Sequence, residues 1–165
     1  MARYTFTPES VVEFHAKSSL HPIHGDTHEA RGEVNVEVRD GQVVLEPGPS
    51  GYVELDVDVL KSGHKLQDME MRRRLEAKKY PTMRYELREA SGGPEKFTLK
   101  GALTFHGVTR EFTEEATARL ENGVLQVEGE HTFDIQDFDL KPPKILNLQV
   151  YPDVRVVARL VAKQG

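Results

Sequence analysis

The segment "LHPIHGDTH" places three of the chain's seven histidines, His21, His24 and His28, close together. Neutral imidazole is a common metal ligand, and three imidazoles can hold zinc, nickel or copper with a fourth position open. On a regular strand His21 and His24 would face opposite sides, so the three rings meet only if the segment is looped. Pro22 and Gly25 disfavour a regular strand. One interpretation of the segment is therefore a site for a divalent transition metal.

Two other interpretations of this segment stay open. In one, Pro22 and Gly25 form a polar turn, and the imidazoles hydrogen-bond to backbone or to water. In the other, the histidines act in acid–base catalysis without a metal. The sequence has no Gly-x-Ser-x-Gly elbow, no phosphate-binding glycine loop and no His-Glu-x-x-His pair. It therefore favours a protein that is not an enzyme, with no catalytic residue and no cofactor beyond a metal at the histidines.

Length and composition limit the classes of protein to which the chain belongs. Its 165 residues predict a single domain over residues 1–165. A net charge of -5 argues against nucleic acid as a partner, and the chain has no apolar window long enough for a membrane span. The start, "MARYTFTPESVVEF", has no apolar signal core, so we expect a cytoplasmic protein, or a periplasmic one if a leader was removed.

Apolar and polar residues alternate along most of the chain, as in "GEVNVEVRDGQ" and "YVELDVDVL". The pairs Asp40-Gly41 and Asn122-Gly123 are typical of hairpin turns. We count about eight or nine strands, each apolar on one side and charged on the other, with no internal repeat. The pattern predicts an all-β fold, a single antiparallel barrel of about eight strands.

One segment, "LQDMEMRRRLEAKKY", breaks the alternation and predicts a short helix. Leu66, Met69 and Leu75 have near-helical spacing, Asp68 is a candidate cap, and Pro81 follows the end of the segment. We expect this helix to cover one opening of the barrel.

A barrel of about eight strands is wide enough to hold one small or slender apolar ligand. The small inward residues either leave room for it or offset large neighbours; they are Gly101, Ala116, Ala118, Gly129 and Ala158. His131 has inward parity, and it either bonds to a core neighbour or contacts a ligand head group. Aspartates and glutamates are predicted to face outward. The predicted ligand-binding wall comprises Phe14, Val36, Leu55, Val57, Met83, Tyr85, Leu99, Leu103, Phe105, His131, Phe133 and Val156.

Three segments together resemble the YceI-like family. They are "LQDMEMRRRLEAKKYPTMRYEL", "LKGALTFHGVTREFTEEA" and "HTFDIQDFDL" with the closing strand "VYPDVRVVARLVA". The resemblance implies a lipocalin-like barrel around an apolar tunnel, with isoprenoid lipids or quinone tails as ligands. The chain departs from the family pattern at Ile135, where an arginine is usual, and at Asp139, where a glycine is usual.

The leading hypothesis is that the barrel binds an elongated apolar molecule, isoprenoid or quinone-like, for storage, transport or sequestration. The alternative is a metal-binding protein or metal-dependent enzyme that uses His21, His24 and His28 at a barrel end. A third hypothesis is an interaction module with a filled core. The sequence also leaves open whether the barrel ends pair two chains into a homodimer.

Overall fold

The computed structural model describes residues 1–20, 22–59, 63–142, 144–145 and 148–165. The described part contains twelve strands, one α-helix and two turns of 3-10 helix, the latter at Val57–Val59 and Ile135–Phe138. The strands and helix, in chain order, are β1 (Ala2–Phe6), β2 (Val11–Ser18), β3 (Pro22–Thr27), β4 (Arg31–Arg39), β5 (Gln42–Val44), β6 (Ser50–Asp56), α1 (Lys65–Arg74), β7 (Thr82–Gly92), β8 (Lys96–Phe105), β9 (Val108–Glu121), β10 (Val124–Asp134), β11 (Lys144–Ile145) and β12 (Leu148–Gln164).

Eight strands form a closed antiparallel barrel. Their order is β1-β4-β6-β7-β8-β9-β10-β12, and β12 pairs again with β1 to close the ring. Strand β2 pairs with β12 beside β1, and β3 adds to β2 at the edge. The short strands β5 and β11 pair with β4 and β12. The predicted all-β, lipocalin-like barrel of about eight strands with one helix is confirmed.

The two predicted hairpin turns have the backbone that their residues favour. Asp40 and Gly41 have φ angles of 54° and 73°, and Asn122 and Gly123 have φ angles of 52° and 77°. Positive φ at both central residues gives the twist that matches the flanking strands of a tight hairpin. These turns join β4 to β5 and β9 to β10.

Two local predictions were wrong. The histidine-rich segment is not looped over its described part, because Pro22–Thr27 is the regular strand β3. Pro22 is tolerated as the first residue of a strand whose one partner within the described ranges is β2. The alternation of "YVELDVDVL" does not continue to its end, because β6 stops at Asp56 and a 3-10 turn follows.

The predicted helix is confirmed, but its buried face and its cap are not those expected. Leu66 and Met69 are 65% and 58% exposed, whereas Met71 and Leu75 pack against the barrel core. Asp68 is buried within the first turn, and His64 is the N-cap residue. The face that meets the barrel therefore follows the i, i+3 and i+7 positions from Asp68.

The Ser10 side chain pairs with β12 at the point where the backbone pairing is interrupted between β1 and β2. Its side chain is fully buried, and its hydroxyl donates to the Val161 carbonyl at 3.1 Å and accepts from the Val161 N–H at 2.9 Å. The Thr7 N–H donates to the same carbonyl at 2.8 Å. A serine side chain thus replaces the missing backbone partner opposite Val161 on β12.

We expect Ser10→Ala to lower the free energy of unfolding by about 1–3 kcal/mol, because the buried Val161 N–H loses its acceptor. Urea unfolding measures this change, with Ser91→Ala, at an exposed position of β7, as the matched control. Equal stability of the two variants would show that Ser10 does not support the closure.

Candidate functional site: two adjoining interior cavities

The barrel encloses two cavities. The upper cavity, of about 240 Å³, is lined by residues of β4 and β6–β10 together with parts of β2 and β12. The lower cavity, of about 470 Å³, is lined in part by α1. They adjoin, because both are bordered by Phe14, Met83, Leu103, Phe133 and Val156. The interior is therefore not filled by its own side chains, in contrast to the filled-core hypothesis.

Most of the predicted wall residues border a cavity. Phe105 lines the lower cavity, and Val57 lies in the 3-10 turn, where it packs in the core with 1% exposure. Among the small residues, Ala116, Ala118, Gly129 and Ala158 border the upper cavity. The predicted residues that line the upper cavity are Phe14, Val36, Leu55, Met83, Tyr85, Leu99, Leu103, His131, Phe133 and Val156.

Glu114 also lines the upper cavity, and the prediction that carboxylates face outward was wrong for this residue. On β9 the inward side chains recur at every second position, and Phe112, Ala116 and Ala118 also border the cavity. The signal was present in the sequence, because Glu114 has the same parity as the small residues already assigned inward.

The environment of Glu114 is apolar. Burial raises the pKa of this carboxyl to about 7. The described residues that border the upper cavity include no lysine and no arginine. The carboxyl therefore lacks a permanent positive partner, and it titrates near neutral pH instead of near its ordinary value.

Two further polar side chains face the upper cavity, Tyr85 and His131. The Tyr85 hydroxyl is buried and has no hydrogen-bond partner among the described residues. Burial, and then the charge of Glu114, raises the pKa of Tyr85. Burial lowers the pKa of His131. The centroid of its ring lies 4.5 Å from that of Phe112 and 4.6 Å from that of Phe133.

The position of the Tyr85 ring depends on Gly101, which β8 places next to it. A Cβ atom at Gly101 would collide with the ring and hydroxyl of Tyr85. The lack of a side chain at Gly101 therefore leaves room for the Tyr85 ring inside the barrel.

His106 lines the lower cavity and connects two other residues of its wall, Glu76 and Phe138. Its Nε2 lies 2.6 Å from the Glu76 carboxylate, and its Nδ1 lies 3.0 Å from the Phe138 carbonyl oxygen. The centroid of the His106 ring also lies 4.9 Å from that of the Tyr80 ring, in a T-shaped arrangement. His106 thus connects the segment after α1 to the 3-10 turn after β10. Asp139 follows that turn with a φ of 58°, the left-handed conformation that favours glycine.

The histidine segment does not form a described metal site. His21 lies outside the described residues. His24 is exposed on β3, with its Nδ1 2.7 Å from Nδ1 of His15 on β2, while His28 Nδ1 lies 3.1 Å from the Pro8 carbonyl oxygen. Within the described ranges, no group of three or more histidine or acidic side chains is placed to hold a metal. The metal site at His21, His24 and His28 stays a prediction.

Comparison with known proteins places the chain among barrels of the same fold. The family model of the YceI-like domain matches residues 4–162. BcnA of Burkholderia cenocepacia is 19% identical, with a TM-score of 0.78 over 94% of this chain and 97% of that chain. A structure described as a polyisoprenoid binding domain from Saccharophagus degradans implicated in plant cell wall breakdown is 14% identical, with a TM-score of 0.80 over 100% and 99%.

A YCEI protein of Campylobacter jejuni is 15% identical, with a TM-score of 0.64 over 81% of each chain. At these identities the likeness shows a shared fold. No curated protein matches the sequence. Among the described residues, no helix has the length and apolar character needed to cross a membrane.

The pKa of Glu114 predicts how stability depends on pH. The unfolded chain releases this proton near pH 4.5, and the folded chain holds it to about pH 7. The folded state therefore binds more protons between these values, and stability falls as pH rises through them. We expect Glu114→Gln to remove this loss. Between pH 4.5 and pH 8.5 its free energy of unfolding should rise, relative to that of the wild type, by up to about 3 kcal/mol.

Urea unfolding of both proteins at several pH values measures this difference. Glu115→Gln is the matched control, because Glu115 is the exposed next residue on β9. A constant difference between Glu114→Gln and the wild type across this range would contradict a raised carboxyl pKa.

Proposed function

The chain belongs to the YceI-like family, and on this premise we propose that it binds an elongated apolar molecule, an isoprenoid lipid or a quinone-like compound, inside its barrel. The observation that carries the proposal is the pair of adjoining cavities, of about 240 and 470 Å³. Two cavities that share part of their walls suit a long, slender molecule better than a compact one.

The lining supports an apolar ligand. Apart from the three polar side chains already described, the inward side chains of the upper cavity are mainly aliphatic and aromatic. Each CH₂ group removed from water contributes about 0.8 kcal/mol. Even a short isoprenoid tail therefore gains several kcal/mol before the entropic cost of association. The name of the Saccharophagus degradans structure, a polyisoprenoid binding domain, supports the same class of ligand.

The function that follows is storage, transport or sequestration of the apolar molecule. The sequence and the described structure supply no nucleophile with an adjacent base, so the proposal includes no chemical step. The helix α1 borders the lower cavity with Met71, and its C-cap residue Leu75 also borders it, which supports a role for this helix as the cover of that opening.

Filling the upper cavity tests the proposal. Ala118 faces the cavity, whereas Thr117 is the exposed residue before it on β9. We expect Ala118→Phe to weaken binding of the neutral apolar probe N-phenyl-1-naphthylamine by about tenfold or more, which corresponds to 1.4 kcal/mol. Thr117→Phe should leave the affinity unchanged, because its side chain lies outside the barrel.

Fluorescence titration of the probe gives both affinities, and native mass spectrometry of freshly purified protein shows whether a lipid is already bound. Equal affinities for the two variants would place the probe outside the barrel. Absence of probe binding to the wild type, together with a bare polypeptide mass, would overturn the proposal.

Metal binding through His21, His24 and His28 is the alternative function and has a separate test. Among the described residues, no three histidine or acidic side chains are grouped so that they could hold a metal ion. We therefore expect zinc added to metal-free protein to leave the melting temperature of wild type and His24→Ala equally unchanged. A rise in the wild-type melting temperature that His24→Ala abolishes would support the metal site instead.

A further inference from the structure

We propose that Glu114 and Tyr85 form a head-group site in the upper cavity, and that this site takes a protonated amine carried on an apolar chain. The inference rests on the proposed function, since it assigns the polar end of a ligand whose tail fills the barrel. It begins from a specific contrast: a carboxyl group stands inside a wall that is otherwise aliphatic and aromatic.

Charge determines which head group fits. The described residues lining the upper cavity offer no lysine or arginine to neutralise Glu114, and the only basic side chain among them is His131. Burial lowers the pKa of His131, so this ring is mainly neutral at and above neutral pH. A buried carboxylate is more favourable when a positive group pairs with it than when it is alone. A ligand ammonium group would supply that positive charge to Glu114.

The surroundings of Glu114 suit an ammonium group in two further ways. The Tyr85 hydroxyl oxygen has no partner among the described residues and is able to accept an N–H. The ring centroids of Tyr85 and Phe112 lie 5.5 Å apart, both rings line the same cavity as Glu114, and aromatic faces attract cations. The charge of Glu114 acts on Tyr85, which indicates that the two groups lie near each other, and an ammonium group has three N–H donors to share between them.

Space for the head group lies next to the carboxyl. Ala116 pairs with Gly129 across β9 and β10. A Cβ atom built at Gly129 would lie 3.5 Å from the Ala116 Cβ and 3.6 Å from Oε2 of Glu114. The absence of that atom leaves a methyl-sized space in contact with the Glu114 carboxylate, at the wall of the upper cavity.

Other head groups fit less well. A fatty acid or a phosphate would place a second negative charge beside Glu114 with no described lysine or arginine in the upper cavity. An alcohol could hydrogen-bond to Tyr85 and to the protonated carboxyl, but it would not favour ionisation of Glu114. The three head groups therefore predict different responses to pH.

Few titratable groups among the described residues face this site. They are Tyr85 on β7, Glu114 on β9 and His131 on β10. Tyr52 on β6 also borders the cavity, but its ring lies 4.0 Å from the Arg84 guanidinium carbon. Between pH 6 and pH 8.5 Glu114 gains its charge, while an alkylamine stays protonated. Amine affinity should therefore rise with pH over this interval.

The experiment compares decylamine, decanol and decanoate, which differ only in the head group, as competitors of N-phenyl-1-naphthylamine. In the wild type at pH 8.5 we expect decylamine to bind about tenfold more tightly than decanol, and decanoate to bind most weakly. From pH 6 to pH 8.5 the decylamine affinity should rise about tenfold, because about one tenth of a carboxyl with a pKa of about 7 is ionised at pH 6. The decanol affinity should stay constant.

Glu114→Gln should retain probe binding and lose both the preference for decylamine and its pH dependence. Glu115→Gln removes the same charge from the outer face of β9 and should behave as the wild type. A preference for decylamine that survives in Glu114→Gln would overturn the site and assign the attraction to the net charge of -5.

Equal binding of the three competitors would overturn the head-group site and leave the proposed apolar function intact. Binding of neither the probe nor any competitor would overturn both proposals. If Glu114→Gln does not fold, the wild-type pH profile decides, because a decylamine affinity that does not change from pH 6 to pH 8.5 overturns the site.

Discussion

The structure depends on the backbone hydrogen bonds that close the sheet along both edges of β12. One edge pairs with β10 from Val124 to Asp134, and the other pairs first with β2 and then with β1. The second edge is discontinuous, because the chain leaves the sheet between β1 and β2. The Ser10 hydroxyl spans this break by bonding to both backbone groups of Val161. Without this hydroxyl, the Val161 N–H would be left unpaired at the point where the ring closes, while its carbonyl would keep the Thr7 N–H as a donor.

Closure of the barrel also raises the free-energy cost of a polar side chain that faces inward, because that side chain is removed from water. In an open sheet one face of β9 would meet water, whereas here the inward face meets the opposite wall. A carboxyl in that position loses hydration without gaining a described partner, and its pKa rises to about 7. Strongly shifted carboxyls that line cavities are typical of functional sites, because a valine or leucine at the same position would be more stable. This cost supports the proposed head-group site, which rests on the inward position of Glu114 in a described lining that contains no lysine or arginine.

Much of the fold was predictable from local signals. Strict alternation gave the strands, and the Asp-Gly and Asn-Gly pairs gave turns with positive φ. What failed depended on contacts between distant segments. The buried face of α1 is set by the barrel end it covers, so Met71 is inside and Met69 is exposed. The inward position of Glu114 runs against the general preference of acidic residues for the outer face, and only the parity of its own strand indicates it.

The small inward residues show why sequence alone left the size of the interior undecided. A small residue can offset a large neighbour or leave a space, and this barrel uses both. Gly101 offsets Tyr85, because any Cβ there would collide with the ring. A Cβ at Gly129 would have ordinary contacts with the Ala116 Cβ and with Glu114, so this glycine leaves a methyl-sized space beside the carboxyl. Glycine therefore makes room for the phenol at one position and leaves a small space beside a carboxyl at the other, and only the cross-strand register distinguishes the two roles.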